Sequence, residues 1–117
     1  MPGSPPAGAM SVAQSYVRTF NAGDLAGMEK LFAEEAVLRH PEGQFTGRDA
    51  ILAFYRDAVF QRQTNLVVVA AVIQGEVCIM ELEGRLLTDP TGDPQRIRDV
   101  FRVGPDGRVI ELAVSFR

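Results

Sequence analysis

The first half of the chain carries apolar residues at the three- and four-residue spacing of amphipathic helices. Ser11 with Gln14 has the pattern of a capping box, and Asn21-Ala22-Gly23 ends the first helix. Asp24 can cap a second helix, and a third follows Thr46-Gly47. The predicted buried stripes are Val12, Ala13, Tyr16, Val17 and Phe20 in the first helix, Leu25, Met28, Leu31 and Phe32 in the second, and Ile51, Leu52, Phe54, Tyr55, Ala58 and Val59 in the third.

The second half of the chain changes to an alternation with a period of two, which is typical of β-strands. A short strand over residues 36–40, ended by Pro41, lies between the second and third helices. The long strands are predicted over residues 66–73, 77–87 and 96–103, followed by one with Ile110, Leu112, Val114 and Phe116 on a single face. Tight turns between these strands predict a meander.

Such a sheet needs a cover for its apolar face, and the three helices are the cover that the chain offers. The prediction is an α+β fold in which a bent antiparallel sheet wraps around helices and leaves a pocket between them. Residues 66–73 are apolar on both faces, although an antiparallel strand normally leaves one face to water. The outer face, with Val77 and Ile79, therefore predicts a homodimer. Residues 1–9, rich in Pro, Gly and Ala, are expected to form a flexible arm before a single domain over residues 10–117.

The strand over residues 96–103 alternates between a face of arginines and an apolar face. Asp99 falls on the apolar face with Ile97, Phe101 and Val103, as its one ionisable residue. A lone buried charge is unfavourable by several kcal/mol unless the group is paired or takes up a proton. A carboxylic acid kept neutral in an apolar pocket can donate a hydrogen bond. The other interpretation is a structural aspartate that pairs with an arginine or with the backbone.

Two further residues are candidates for chemistry. Tyr16 lies on the buried stripe of the first helix, where its hydroxyl needs a partner, although a plain core tyrosine has the same pattern. His40 shares a strand face with Ala36 and Leu38, and a half-exposed histidine before a turn is the alternative. None of these residues is specific by itself.

Composition narrows the function classes. The chain has 117 residues, a net charge of −3 and no basic block, so a nucleic-acid partner is not expected. One cysteine and one histidine exclude an intramolecular disulfide and a histidine-rich metal site. No cofactor motif, no apolar run of membrane-spanning length and no signal-peptide pattern is present, which predicts a cytoplasmic protein without cofactor or metal.

Four stretches resemble ketosteroid isomerases: residues 15–25, 31–43 with its x-Pro-x-Gly turn, 46–55, and the Asp-x-Phe strand at 99–103. The resemblance extends over nearly all of residues 11–116. These isomerases belong to the nuclear transport factor 2-like superfamily, also called cystatin-like. The resemblance implies a cone-shaped barrel in which a strongly bent, mainly antiparallel sheet wraps around three helices.

The resemblance also implies a site. Tyr16 matches the tyrosine of the oxyanion hole, and Asp99 matches the protonated aspartic acid beside it, an arrangement established for that family. The family's general base is an aspartate just before the proline, where this chain has His40. The implied activity is the movement of a carbon–carbon double bond in an apolar, steroid-like ketone through a dienolate, with His40 as the base.

The expected pocket is apolar, and other activities stay open. Relatives on this fold hydrolyse epoxides, dehydrate or cyclise polyketides, and others bind small molecules or dimerise without catalysis. An Asp-Arg-Asp epoxide-hydrolase site is disfavoured because Arg98 and Arg102 alternate away from the pocket face. The residues expected to line the pocket are Phe20, Phe32, Leu38, Phe54, Tyr55, Met80, Leu82, Phe101 and Phe116.

Overall fold

Local sequence signals set the ends of the helices in the structure, a computed structural model that describes residues 8–117. The helices are α1 (Ala9–Ala22), α2 (Leu25–Leu31) and α3 (Arg48–Phe54), and α3 continues as a π-helical turn (Tyr55–Val59) and a 3₁₀ turn (Phe60–Arg62). Gly23 ends α1 in the left-handed conformation, with φ of 62°. The Asp24 carboxylate caps α2 by accepting a 3.0 Å hydrogen bond from the Gly27 N–H.

The start of α1 differs from the sequence prediction. The helix begins at Ala9, so Ser11 lies inside it and caps nothing. Ala9 is only 5% exposed and packs in the core, which extends the helix backwards into the predicted arm. The rest of that arm, residues 1–7, lies outside the described residues.

Six strands form one mixed sheet, which confirms the predicted α+β fold. The strands are β1 (Phe32–His40), β2 (Gly43–Thr46), β3 (Thr64–Gln74), β4 (Val77–Leu86), β5 (Gln95–Val103) and β6 (Val109–Phe116). Their order is β2-β1-β6-β5-β4-β3, and every neighbouring pair is antiparallel except β1 with β6. The predicted β3-to-β6 meander is present, whereas β2 was not predicted as a strand. Phe32 begins β1 instead of ending α2.

Irregularities in strand pairing change which side chains face inward. The register between β5 and β6 shifts after Arg102, so Arg102 pairs with Glu111 while Val103 pairs with Val109. Ile110 is the extra residue of this bulge and is 36% exposed. The prediction that Ile110 shares a face with Leu112 is therefore wrong, because simple alternation fails across a bulge.

Asn21 fixes α1 against the sheet. Its side-chain amide donates to the Leu66 carbonyl at 2.9 Å and accepts from the Leu66 N–H at 2.7 Å. This pair of bonds copies what a neighbouring strand would make with β3, which is an edge strand of the sheet. The contact holds the C-terminal half of α1, with Tyr16, over the inner face of the sheet.

The outer part of β3 exposes a run of valines. Val67, Val69 and Val72 have 51%, 61% and 55% of their surface accessible. A register shift between Val68 and Ala70 brings Val67 and Val72 to one face of the sheet with Ile79, which is part of the surface from which a homodimer is predicted. The dimer stays a prediction. No helix within residues 8–117 has the length and apolar content needed to cross a membrane.

Candidate active site

A cavity of about 270 Å³ lies between the helices and the inner face of the sheet. It receives Tyr16 from α1, Tyr55 from the π-helical turn, His40 from the end of β1 and Asp99 from β5. Tyr16, His40 and Asp99 lie far apart in the sequence, and the structure brings all three to this one cavity. Its volume is near the lower end of the range for small-molecule sites.

Only part of the predicted apolar lining faces the cavity. Phe20, Tyr55 and Phe116 do so. Phe54 packs beside the His40 ring, with a centroid distance of 4.9 Å, and stacks on Phe45. The remaining predicted lining residues are fully buried core residues that do not line the cavity, namely Phe32, Leu38, Met80, Leu82 and Phe101.

Tyr16, Tyr55 and Asp99 form what we call the buried cluster, because each is only 2% exposed. The two tyrosine hydroxyls are 2.6 Å apart, so one donates a hydrogen bond to the other. The ring of Tyr16 also contacts Phe101 edge-on at a centroid distance of 5.1 Å. If Tyr55 donates to Tyr16, the Tyr16 proton is free to point to a ligand oxygen.

Asp99 has a carboxyl oxygen without a protein partner. Oδ1 is buried and makes no hydrogen bond within residues 8–117. Burial raises the pKa of Asp99 from 3.8 to about 7, so the protonated acid is well populated at neutral pH. In that form Asp99 is a second hydrogen-bond donor in the cavity.

The tyrosines remain neutral for a related reason. Burial, followed by the influence of Tyr55 and Asp99, raises the pKa of Tyr16 well above its ordinary value. Burial also raises the pKa of Tyr55. The buried cluster therefore offers two neutral tyrosine hydroxyls at neutral pH and, in the protonated fraction of Asp99, a carboxylic acid O–H. These groups suit an oxygen atom that gains negative charge during a reaction.

His40, Glu42 and Arg62 form what we call the mouth cluster: His40 and Arg62 line the cavity, and Glu42 pairs with the half-exposed Arg62 side chain. Nδ1 of His40 accepts a hydrogen bond from the Glu42 N–H at 3.1 Å. Burial lowers the pKa of His40, the Glu42 carboxylate opposes this effect, and Arg62 adds to it. The imidazole is therefore neutral at pH 7 and has a lone pair that can accept a proton.

Glu42 and Arg62 make a two-point ion pair beside His40. Two guanidinium nitrogens of Arg62 donate to the two carboxylate oxygens of Glu42, at 2.5 and 2.6 Å. These bonds hold the pKa of Glu42 below its usual range. Both side chains are more than 40% exposed, so the cavity is charged and wet at this end.

Sequence reasoning missed two features of the site. Tyr55 was expected only as apolar lining, although a second tyrosine on a buried helix stripe signals a hydroxyl in need of a partner. Arg62 and Glu42 were not predicted, because they lie 20 residues apart and meet only through the fold. Glu42 had one local signal, since it follows His40 by two residues across a turn.

The sequence of this chain identifies the protein family to which it belongs. The sequence matches the SnoaL-like domain family over residues 13–112. The chain belongs to the SnoaL-like family. The expected place within the nuclear transport factor 2-like superfamily and the expected fold are confirmed. No curated protein matches the chain.

Solved structures that share this fold have been given different functional descriptions. An NTF2-like protein of unknown function from Cytophaga hutchinsonii has a TM-score of 0.78 at 13% identity, covering 100% of this chain and 95% of that chain. A candidate polyketide cyclase from Sinorhizobium meliloti has a TM-score of 0.76 at 20% identity, with 90% and 94% covered. A candidate ketosteroid isomerase from Kribbella flavida has a TM-score of 0.79 at 19% identity, with 92% and 76% covered. At these identities the likeness establishes the fold alone.

Proposed function

We propose that this SnoaL-like protein is an isomerase of the ketosteroid type, which moves a carbon–carbon double bond in an apolar ketone. The observation that carries the proposal is the unpartnered Oδ1 of Asp99, buried beside two tyrosines in an open cavity. A buried polar atom without a partner is unfavourable, and a ligand oxygen bound there would remove that penalty. The ligand class is a compact or flat apolar ketone, such as a steroid-like enone precursor.

The reaction begins with the ketone oxygen bound by Tyr16 and by protonated Asp99. His40 removes a proton from the carbon next to the carbonyl, and the electron pair moves onto the oxygen to give a dienolate. The imidazolium then returns the proton two carbons further along the conjugated system. Tyr55 supports the oxyanion hole through its hydrogen bond with Tyr16. The step needs no oxidant, metal or cofactor.

The magnitudes of these contributions suit an isomerase. One oxyanion-hole donor contributes roughly 100- to 1,000-fold in rate, and a positioned base roughly 100- to 10,000-fold. A histidine base differs from an aspartate in charge, because it begins neutral and ends positive, opposite the dienolate. Glu42 provides a negative charge 3.8 Å from Nδ1 to balance that cation.

The alternative activities share part of this site. Polyketide cyclisation also proceeds through an enolate, so the same donors and base would serve it. Dehydration would use His40 in the same position. An Asp-Arg-Asp epoxide-hydrolase arrangement has no support, because Arg98 lies on the outer face and pairs with Glu81 at 2.6 Å.

A spectrophotometric assay tests the proposal directly. A β,γ-unsaturated 3-ketosteroid is offered to the wild-type protein and to His40→Ala, and the conjugated enone is followed by its absorbance. We expect conversion by the wild type, loss of turnover in His40→Ala, and retained binding of a planar phenol by both. The matched control is Glu111→Gln, a partly exposed carboxylate that pairs with Arg39.

The outcomes separate the candidate functions. Equal turnover by wild type and His40→Ala would remove the histidine from the mechanism. Phenol binding without conversion by either protein would favour another substrate, such as a cyclase or dehydratase substrate, or a non-catalytic binding role. Absence of both conversion and phenol binding would contradict the proposed oxyanion site itself.

We also propose that the exposed valines of β3 pair two copies of the chain. Val67, Val69 and Val72 lie together on this strand and are each more than half exposed. An exposed apolar patch of this kind is typical of an interaction surface. Light scattering at micromolar concentration is expected to give twice the 12.8 kDa chain mass, and Val69→Lys is expected to lower it. A monomer mass for the wild type would contradict the proposal.

A further inference from the structure

Nδ1 of His40 faces two groups of the same residue, Glu42. The backbone N–H of Glu42 donates to Nδ1 at 3.1 Å, and the Oε2 atom of its side chain lies 3.8 Å from the same nitrogen. A neutral imidazole carries one N–H, and Nδ1 acts here as the acceptor. The ring proton of the resting protein is therefore on Nε2. Within residues 8–117, Nε2 makes no hydrogen bond.

We propose that Glu42 is a positioning residue that controls where His40 carries its proton. The backbone N–H of Glu42 holds the resting imidazole as the Nε2–H tautomer. The carboxylate of Glu42, 3.8 Å from Nδ1, stabilises the positive charge of the ring whenever that nitrogen is protonated in the imidazolium. One residue thus provides a partner for Nδ1 in both states of the ring.

Arg62 holds the carboxylate in position for this role. Its guanidinium binds both carboxylate oxygens, so the Glu42 side chain, which is 42% exposed, is not free to turn into water. The two charges act on His40 in opposite directions, because Glu42 favours the imidazolium and Arg62 disfavours it. Of the two, Glu42 has the larger effect on the pKa of His40, and its carboxylate lies 3.8 Å from Nδ1.

The other surroundings of His40 do not compete with this pair. The side chains of α3 and β6 that contact the ring are Phe54 and Phe116, at centroid distances of 4.9 and 5.6 Å. Arg39, the preceding residue, pairs with Glu111 on β6 and hydrogen-bonds Gln44 on β2. The ionisable groups that share the cavity with His40 are Tyr16, Tyr55, Arg62, Asp93 and Asp99.

The tautomer has a consequence for catalysis, and this part of the inference rests on the proposed isomerase function. An Nε2–H imidazole has no lone pair at Nε2, so the ring must first release this proton to water and take up a proton at Nδ1, beside the Glu42 carboxylate. The substrate proton then binds Nε2 and gives an imidazolium whose Nδ1–H lies 3.8 Å from the Glu42 carboxylate, which stabilises its charge. Returning the Nε2 proton to the substrate leaves the Nδ1–H tautomer, and proton exchange with water then restores the resting Nε2–H form. The Nδ1–H tautomer, which can accept the substrate proton at Nε2, is the minor form. The rate is therefore reduced in proportion to the fraction of protein that has this tautomer.

Nitrogen NMR of the imidazole tests the inference without any substrate. The chain has a single histidine, so ¹⁵N-labelled protein gives one pair of ring signals, whose shifts distinguish the two tautomers and the imidazolium. In the wild type we expect the Nε2–H tautomer above the His40 titration. In Glu42→Gln the backbone N–H remains, so the tautomer is expected to be unchanged while the pKa of His40 falls further. Glu111→Gln is expected to change neither property.

Two NMR results would overturn the inference. The first is an Nδ1–H tautomer in the resting wild type. The second is a His40 pKa that stays the same or rises in Glu42→Gln, provided that circular dichroism shows the variant folded. If Glu42 only stabilised the turn, Glu42→Gln would not lower the pKa of His40 while leaving its tautomer unchanged.

Kinetics provides a second readout. Glu42→Gln is expected to lower kcat by roughly two- to fivefold, with KM unchanged. This factor corresponds to the stabilisation that an exposed ion pair provides. An unchanged kcat would remove Glu42 from the catalytic cycle. Failure of the isomerase proposal would instead appear as absence of turnover in the wild type, while the NMR result would still decide the role of Glu42.

Discussion

The buried cluster and the mouth cluster both contain a carboxyl group, and the two groups have opposite properties. Asp99 is 2% exposed and Oδ1 has no partner within residues 8–117, so burial raises its pKa to about 7. The Glu42 side chain is 42% exposed and receives two hydrogen bonds from Arg62, which lower its pKa. Access to water and a cationic partner, not residue type, decide which carboxyl is charged.

In the proposed isomerase, this difference gives the two clusters separate tasks. The buried cluster keeps neutral O–H donors where an oxygen can become negative. The mouth cluster keeps a neutral imidazole together with an anion and a cation, and the two charged side chains are more than 40% exposed. A cavity that had the charges at its closed end would leave them desolvated, at a free-energy cost of several kcal/mol for each ion.

The largest expected effect concerns the stability contribution of Asp99. Its pKa is about 7 in the folded protein against an ordinary value of 3.8, so the folded state binds this proton more tightly. The free energy of unfolding is therefore expected to fall as the pH rises from about 4 to above 7, by about 4 kcal/mol in all. About 3 kcal/mol of this fall is expected between pH 5 and pH 8. Urea unfolding of Asp99→Asn at both pH values is expected to lack that fall.

The control for this measurement is Asp57→Asn, an exposed carboxylate paired with Arg56 at 2.8 Å. It is expected to keep the wild-type fall in stability. The chain contains no tryptophan, so circular dichroism is the suitable signal for unfolding. Parallel pH curves for wild type and Asp99→Asn would mean that Asp99 is not a desolvated acid, and the contrast between the two clusters would disappear.

The position of Asp99 was accessible from the sequence because it depends only on local alternation along β5. The observed strand has Ile97, Asp99, Phe101 and Val103 buried, and Arg96 and Arg102 exposed. Burial then explains the raised pKa without further information. The same local reasoning identified Gly23 and Asp24 as the junction of α1 and α2, since both residues act on their own backbone neighbourhood.

The next largest effect is expected from Tyr16→Phe, which removes one donor of the buried cluster and leaves the mouth cluster unchanged. Loss of one oxyanion-hole donor lowers kcat by roughly 100- to 1,000-fold. KM is expected to change little, because the hydrogen bond strengthens mainly as the oxygen becomes negative. The steroid assay measures both constants. A large rise in KM with kcat unchanged would instead assign Tyr16 to ground-state binding.

The sequence could not predict which inward-facing residues line the cavity. Phe101 and Met80 alternate inward as predicted, yet they are buried beneath the helices and do not face the cavity. Alternation gives the face of a strand but not the depth at which a helix covers it. Contacts between distant segments, such as Tyr16 with Tyr55 and Glu42 with Arg62, depend on how α1 and the turns after α3 pack on the sheet.

The smallest expected effect concerns the hydrogen bond inside the buried cluster. Tyr55→Phe leaves the Tyr16 hydroxyl buried without its partner, which is expected to lower the free energy of unfolding by about 1–3 kcal/mol.

The double variant Tyr16→Phe/Tyr55→Phe leaves neither hydroxyl behind. It is therefore expected to be more stable than the sum of the two single effects predicts, because replacing both partners by apolar groups of the same shape is nearly neutral. Urea unfolding of the four proteins measures this coupling directly. Strictly additive losses would show that the two hydroxyls do not depend on each other, and the buried cluster would then act as separate groups.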